Sequence, residues 1–162
     1  MKGEFSNEEI LGGYIFGGGA MPFYNKFFHH YLQVSRFFTK KLNEHLSKID
    51  LHQAQWSVIY YLHEFGTATL VEISTYLNVE KPTITRTVNR LEERGFIEQI
   101  PGKDKRERRI QLTDLGMHTY EKGKKIVDEF EQNIMKDIPE NDREVTRRTL
   151  RSLQKNLKES GK

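Results

Sequence analysis

The stretch KPTITRTVNRLEERGFIEQIPGKDKRERRIQLTDLG, residues 81–116, decides the fold of this chain. Its first half has the period of an amphipathic helix, because Ile84, Val88 and Leu91 fall on one face. A proline in the first turn and Gly95 at the end suit the limits of that helix. The second half reads as two short strands, FIEQI and RIQL, joined by a tight, charged turn. We therefore predict a helix followed directly by a two-stranded ribbon.

A second short helix precedes this one. The segment TATLVEISTYLNV predicts a helix over residues 69–77 that buries Leu70, Ile73 and Leu77, followed by a turn at residues 78–79. Two short helices joined by a tight turn, the second one polar on its outer face, are typical of a helix-turn-helix. A two-stranded ribbon directly after the second helix is a wing. The sequence thus predicts a winged helix-turn-helix.

The outer face of the second helix carries side chains that can read DNA. Arginine and asparagine make bidentate contacts with guanine and adenine in the major groove. Hydroxyls and a lysine near a helix start reach phosphates with the help of the helix dipole. An ordinary solvated surface helix is the alternative for this segment taken alone. The predicted DNA contacts on this helix are Lys81, Thr83, Thr85, Arg86, Asn89 and Arg90.

The charged turn favours the DNA interpretation. Seven consecutive charged residues, five of them basic, run from Lys103 to Arg109. Such a run is usually a solvated loop, but here two strands hold it beside a candidate recognition helix. There it can reach the minor groove, whose narrow A·T tracts attract arginine. The predicted basic contacts of the wing are Lys103, Lys105, Arg106 and Arg108.

Long helices are predicted on both sides of this domain. From Pro22 onward, apolar residues recur at spacings of three and four, at Tyr24, Phe27, Tyr31, Val34, Phe38, Leu42 and Leu46. A long helix also follows Thr113, and after a break near Pro139 a last helix carries a narrow apolar stripe of Val145, Leu150, Leu153 and Leu157. These stripes exceed what one small domain covers, so we expect a homodimer packed through them. The arginines of the last helix are predicted to be solvated, with a DNA footprint as the alternative.

The predicted fold class is therefore mainly α with a small two- to three-stranded β wing, a winged helix-turn-helix domain plus dimerisation helices from both termini. The predicted domains are an N-terminal dimerisation helix (21–50), the DNA-binding domain (51–116) and C-terminal dimerisation helices (117–162). Residues 1–20 contain a glycine run followed by Ala-Met. We predict that they are a leader or tag, with a native flexible arm as the alternative.

The end of the quoted stretch matches a specific family pattern. The pattern is Asp-x-Arg, three residues, an aliphatic residue, one residue and then Leu-Thr-x-x-Gly, and it is complete here as Asp104, Arg106, Ile110, Leu112, Thr113 and Gly116. Together with KPTITRTVNRLEERGFIEQ, these residues make the chain similar to the MarR family of winged-helix transcription regulators, over about residues 24–158. The resemblance implies an obligate homodimer whose first and last helices intertwine. It also implies that Arg106 enters the minor groove, while Asp104 orients neighbouring arginines without touching DNA.

The resemblance further implies a small aromatic or amphipathic effector, bound between the dimerisation helices and the winged domain. Candidate wall residues are Phe27, Tyr31, Phe38, Trp56 and Tyr60, for which packing in the core is the alternative. The implied function is a dimeric, sequence-specific regulator that represses transcription by occupying an inverted-repeat operator on double-stranded DNA. The effector would relieve repression by changing the distance between the two DNA-binding domains of the dimer. The alternative is a winged-helix protein-interaction module without DNA binding, and the arginines at 86, 90 and 106 argue against it.

Enzymatic and metal-dependent functions have no support in the sequence. It contains no P-loop, dinucleotide fingerprint, nucleophile elbow or paired-carboxylate motif, so we predict no enzyme. Six scattered histidines and no cysteine predict no metal, no cofactor and no thiol-based sensor. The net charge of +3 makes any basic character local. No apolar run approaches the roughly 20 residues of a membrane span, and the lack of cysteine fits a reducing compartment. We expect a cytoplasmic protein.

Overall fold

The computed structural model describes residues 23–102 and 108–160 of the 162-residue chain. Within those ranges the chain forms six α-helices and two β-strands, with one turn of 3₁₀ helix between the first two helices. In chain order they are α1 (Phe23–Leu46), α2 (Gln53–Phe65), α3 (Leu70–Leu77), α4 (Lys81–Glu93), β1 (Ile97–Pro101), β2 (Arg108–Leu112), α5 (Asp114–Met135) and α6 (Glu140–Glu159). This confirms the predicted mainly helical fold with a small wing. The predicted leader and the wing tip, residues 103–107, lie outside the described residues.

The described residues divide into two compact units, one up to Phe38 and one from Thr39 onward. In the first unit, the side chains of Phe27 and Phe28 meet edge to face, with ring centroids 5.2 Å apart. Several apolar side chains of α1 in this unit are exposed, namely Phe28, Tyr31, Leu32, Val34 and Phe37. The part of α1 that belongs to the second unit is different, since Leu42 and Leu46 are buried there. Among the members of the predicted α1 stripe whose burial the structure describes, from Phe27 onward, only Leu42 and Leu46 are buried.

The core of the second unit lies where α2 packs against α4 and α5. Its largest fully buried side chains are Leu46, Leu51, Val58, Ile59, Ile73 and Leu91. On α4, Ile84 and Val88 are buried together with Leu91, which confirms the stripe predicted from the helical period. This burial fixes which face of α4 points outward.

The prediction for α3 was wrong in part. Of its three predicted core residues, Ile73 is buried, whereas Leu70 and Leu77 are half-buried. The helix has eight residues, so Leu70 and Leu77 are its first and last residues and lie at the rim of the core. The ends of α3 are well fixed all the same: Thr69 and Glu72 form a capping box at the start, and Asn78 closes the helix in the left-handed conformation with φ 51°.

The Leu-Thr-x-x-Gly segment joins the wing to α5. The predicted N-cap is confirmed, because the hydroxyl of Thr113 accepts a hydrogen bond of 3.0 Å from the backbone N–H of Gly116. Gly116 itself lies against the chain at the start of the wing: a Cβ there would be 1.9 Å from the carbonyl oxygen of Phe96. Only glycine allows this close approach of two backbones.

The wing is an antiparallel pair in which Ile97 lies opposite Leu112 and Pro101 opposite Arg108. A single residue of the α2–α3 connection, Ala68, adds to its edge through a bridge to Ile110. The two hydrogen bonds of this bridge measure 2.8 and 3.0 Å. The sheet therefore has two strands and one bridging residue, in agreement with the predicted two to three strands.

The last helix packs differently from the others. No residue of α6, all of which falls in the described part of the chain, is buried. Val145, Leu150 and Leu157 are exposed, and Leu153 is half-buried. None of the helices described is long and apolar enough to cross a membrane.

Candidate nucleic-acid interface

The exposed face of α4 carries side chains suited to reading bases. Across the described residues, the side chains of Asn89 and Arg90 have no hydrogen-bond or ion-pair partner. Arg86 makes one long hydrogen bond of 3.4 Å from its Nε to the carbonyl oxygen of Pro82. All three lie opposite the buried face of the helix and are exposed. An arginine–asparagine face of this kind can meet base edges without disturbing the core. Lys81 is exposed at the first turn, where phosphates are favoured.

The two predicted threonines of α4 are placed differently. Thr85 is half-buried, and its hydroxyl donates a hydrogen bond of 2.9 Å to the carbonyl oxygen of Lys81. Because the hydroxyl proton is used within the helix, Thr85 is left with an acceptor and cannot donate to a phosphate without breaking this bond. Thr83 is exposed and lines a small cleft of about 100 Å³ between α2, the end of α3 and α4. Thr83 is therefore the better placed of the two.

The wing extends beside α4. Arg108 is exposed at the outer end of β2, opposite Pro101. The remaining predicted residues of the wing, Lys103, Asp104, Lys105 and Arg106, lie outside the described residues. Two glutamines brace the strands: Gln99 of β1 donates to the carboxylate of Glu92 on α4 at 3.2 Å, and Gln111 of β2 donates to Glu98 across the sheet at 2.8 Å.

Sequence reasoning missed Arg109, the residue that ties the wing to α3. Its Nη2 donates to the carbonyl oxygen of Thr67 at 2.8 Å, and its Nε donates to the hydroxyl of the same residue at 3.1 Å. The same Nη2 lies 3.2 Å from the carboxylate of Glu72. Thr67 is 42 residues away along the chain, so no local pattern could have paired it with Arg109. The one available signal was the capping box of α3, which predicts an ordered carboxylate at Glu72.

Glu72 is also held by contacts other than the one with Arg109. Its carboxylate accepts hydrogen bonds from the backbone N–H of Thr69 at 2.6 Å and from the hydroxyl of Thr69 at 3.1 Å. The backbone hydrogen bond from Thr69 is the main cause that lowers the pKa of Glu72, and the charge of Arg109 lowers it further. A carboxylate fixed at the start of α3 is thus the anchor of the guanidinium.

The residues predicted to line an effector pocket fall in both units. In the first unit, Phe27 and Phe38 are half-buried and Tyr31 is exposed. In the second, the buried ring of Trp56 lies parallel to Tyr120 of α5, with centroids 5.5 Å apart. A Cβ on Gly123 would be 2.4 Å from the same indole ring. Tyr60 is exposed, with its ring centroid 6.3 Å from that of Trp56. Trp56 therefore packs α2 against α5.

Metal-binding groups are not assembled in the regions that the structure describes. Across these residues no three of the histidine, aspartate and glutamate side chains come together in a way that could hold a metal ion. His118, on α5, has an acidic neighbour at 3.7 Å, Glu121, in an exposed pair.

A helix with an open arginine–asparagine face, preceded by a tight turn and followed by a wing, defines the class of winged helix-turn-helix transcriptional regulators. Residues 51–108 match the sequence model of the MarR family. The chain is also 40% identical over 126 residues to the HTH-type transcriptional regulator YwoH of Bacillus subtilis, a match that spans 77% of this chain and 92% of YwoH. The chain belongs to the MarR family.

Two further relatives agree with this assignment. The HTH-type transcriptional repressor IacR of Pseudomonas putida is 30% identical over 114 residues, which cover 70% of this chain and 68% of IacR. Among solved structures, a mutant of MarR from E. coli in complex with operator DNA superposes with a TM-score of 0.74 at 25% identity, and the match covers 82% of this chain and 98% of that one. The fold and the class of the protein, a helix-turn-helix regulator of transcription, follow from these matches together with the geometry.

Proposed function

We propose that this regulator is a homodimer that represses transcription by binding an inverted-repeat operator on double-stranded DNA. The observation that carries the proposal is the division of α4 into two faces. Ile84, Val88 and Leu91 anchor one face in the core, while Arg86 and Arg90 stand exposed on the other. Such a helix can enter the major groove with its base-reading side chains outward. The structural match to a MarR protein bound to its operator supports the same docking.

The experiment is selection of bound sites from random double-stranded DNA with the purified chain. We expect an inverted repeat whose halves lie about 10 bp apart, because a two-fold dimer presents its two α4 helices to successive major grooves. A selected site without an inverted repeat would contradict the dimeric docking. Absence of any DNA binding at low salt would instead favour a winged-helix module that contacts other proteins.

The dimer is supported by apolar surface that a single chain leaves uncovered. Tyr31, Val34 and Phe37 are exposed on α1, and Val145 and Leu157 are exposed on α6. Two helices that each leave an apolar stripe in water are typical of an interface between subunits. We propose that the apolar stripes within residues 21–50 and 117–162 form this interface, and that residues 51–116 form the DNA-binding domain. Sedimentation at micromolar concentration tests it, and a stable, folded monomer would contradict it.

Repression is proposed on the mechanism of occlusion. A dimer bound across two major grooves covers the promoter that contains its operator, and the relative IacR carries the designation of a repressor. A reporter placed behind the selected operator should be silenced by the chain. Activation of that reporter would contradict the proposal. Because the binding partner is DNA, we propose the cytoplasm as the location.

Effector relief is proposed at the aromatic residues predicted for the pocket. Trp56 is the single tryptophan of the chain, so its fluorescence reports directly on ligands that bind near α2 and α5. We expect small aromatic or amphipathic compounds that change this fluorescence to release the operator as well, because a ligand acts only through different affinities for the two states. Compounds that change the fluorescence and leave DNA affinity unchanged would argue against relief at this site.

A further inference from the structure

We propose that Arg109 is a positioning residue of the wing: it fixes β2 to the start of α3, so that the wing meets DNA in one orientation, and it does not contact DNA itself. The inference rests on the proposed function, because the orientation of a wing matters only if the wing binds DNA. On this proposal Arg109 itself contacts neither bases nor phosphates. It determines how well the rest of the wing makes its contacts.

The contacts of Arg109 explain why it is not offered to DNA. Its Nε and Nη2 donate to the hydroxyl and the carbonyl oxygen of Thr67, and its Nη2 also lies beside Glu72. Its side chain is 21% exposed. The preceding residue, Arg108, is exposed, and neighbouring residues of a strand point to opposite faces of the sheet. The two arginines are therefore divided in function, one outward and one against α3.

The guanidinium is suited to this task and an ammonium group is not. Two acceptors on a single residue, Thr67, match the planar fork of an arginine, and a carboxylate completes the set. Lysine presents a single point charge and cannot bind the carbonyl, the hydroxyl and Glu72 with the same geometry. Glu72 itself is held by a hydrogen bond of 2.6 Å from the backbone N–H of Thr69.

Together these contacts connect the wing to the helix-turn-helix formed by α3 and α4. In the helix-turn-helix, α3 leads through a tight turn into α4. Arg109 and the Ala68–Ile110 bridge hold β2 to the segment just before α3. Loss of the arginine leaves the bridge in place and removes the side-chain brace. The wing could then tilt while α4 stays in its place. The expected consequence is loss of the preference that comes from the wing, with the preference that comes from α4 retained.

The experiment measures the affinity of full-length protein for two duplexes. Both carry the selected inverted repeat, flanked by A·T pairs in one and by G·C pairs in the other. The variants are Arg109→Lys, which keeps the charge, and Glu72→Gln, which keeps the capping box because glutamine can also serve there. The matched control is Arg147→Lys, which alters a comparable arginine–glutamate pair on α6, with Glu144.

We expect wild-type protein to prefer the A·T-flanked duplex by about tenfold, and both wing variants to lose most of this ratio. The control should keep it. A variant that merely folds less well lowers its affinity for both duplexes by the same factor, so a ratio that stays at the wild-type value overturns the positioning role. Glu72→Gln adds a test of sign: electrostatics alone predicts tighter binding to both duplexes and an unchanged ratio, since a negative charge is removed.

The outcomes separate the two proposals. If the wild-type protein binds with the flank preference and the variants retain it, the role of Arg109 is overturned and the proposed function stands. If the wild-type protein binds neither duplex at low salt, the proposed function fails first. If it binds both duplexes equally, the wing does not read the flanks, and the positioning role is overturned while binding through α4 stands.

Discussion

The hydroxyl of Thr113 donates a hydrogen bond of 2.6 Å to the carbonyl oxygen of Gly95. One side chain thus caps the start of α5 and pairs with the carbonyl oxygen of Gly95, two residues after the end of α4. Thr113→Val keeps the shape of the side chain and removes both bonds. We expect it to lower the free energy of unfolding by about 1–2 kcal/mol, because a cap is lost and a carbonyl oxygen is left unpaired. Urea denaturation measures the change.

The control for this change is Thr113→Ser, which retains the hydroxyl and should stay close to the wild-type value. A loss in the serine variant with none in the valine variant would show that the methyl group of Thr113, and not its hydrogen bonds, stabilises the junction.

Gly116→Ala should destabilise the chain through a backbone clash. The added Cβ would lie 1.9 Å from the carbonyl oxygen of Phe96, and a backbone atom cannot move aside as a flexible side chain can. We expect a loss of at least about 2 kcal/mol in the free energy of unfolding, since α5 must shift away from the wing. Met117→Ala, one residue further on and exposed, is the control and should cost far less. An unfolding midpoint in Gly116→Ala equal to that of the control would contradict the close approach.

Leu157→Gln separates dimer formation from folding of the single chain. Leu157 is 72% exposed in the isolated chain, so its replacement costs little there. If α6 packs against a second subunit, the polar side chain should raise the dimer dissociation constant by about tenfold or more, because apolar area is no longer buried. Sedimentation over a range of concentrations measures it. Arg151→Gln, on the opposite face of α6, should leave the constant unchanged, and an equal effect of both variants would argue against the stripe as the seam.

Arg86→Ala and Arg90→Ala should weaken operator binding without loss of stability. Both side chains are exposed on α4, away from its buried face. A bidentate base contact contributes about 1–3 kcal/mol per half-site, and its loss relaxes the preference at one operator position. Binding assays on operators mutated at each position in turn measure both effects. Arg147→Ala on α6 is the control. If the variants bind all operator sequences more weakly by the same factor, the two arginines contact phosphates and not bases.

Glu72 predicts a specific dependence of stability on pH. The folded chain lowers the pKa of this carboxyl, chiefly through the backbone N–H of Thr69. A lowered pKa means that the charged form stabilises the fold above the ordinary value of about 4.3, and that this contribution disappears as the pH falls through the lowered pKa. Glu72→Gln should therefore lose less stability than wild-type protein between about pH 5 and pH 3. Chemical denaturation across this pH window measures the difference. If wild-type protein and the variant lose the same free energy of unfolding, the ionisation of Glu72 is not coupled to folding.

The parts of the fold that sequence reasoning predicted well are those with a local physical cause. Ile84, Val88 and Leu91 recur with the helical period, and the core next to α4 selects that face. Thr113 and Gly116 are three residues apart, and a cap acts over this distance. Family resemblance added what periodicity could not, namely the class of regulator.

The parts that it missed depend on contacts between distant segments. Leu70 and Leu77 are apolar and correctly spaced, but a helix as short as α3 cannot bury both of its ends. Arg109 looked like one more member of a charge run, because Thr67 lies 42 residues before it. The hydroxyl of Thr85 turns back to its own helix, a choice that its position on the helical wheel does not reveal.

The exposed state of α6 in the single chain links the amount of this protein to its folding. A helix of 20 residues with no buried side chain gains little from tertiary packing within its own chain, and helices in proteins owe most of their stability to such packing. If a second copy supplies that packing, the melting temperature rises with protein concentration, as it does whenever the folded state alone binds a partner. A newly synthesised chain then completes its fold only after it meets another. The cellular copy number of the regulator would thereby set its lifetime against proteolysis as well as the occupancy of its operator.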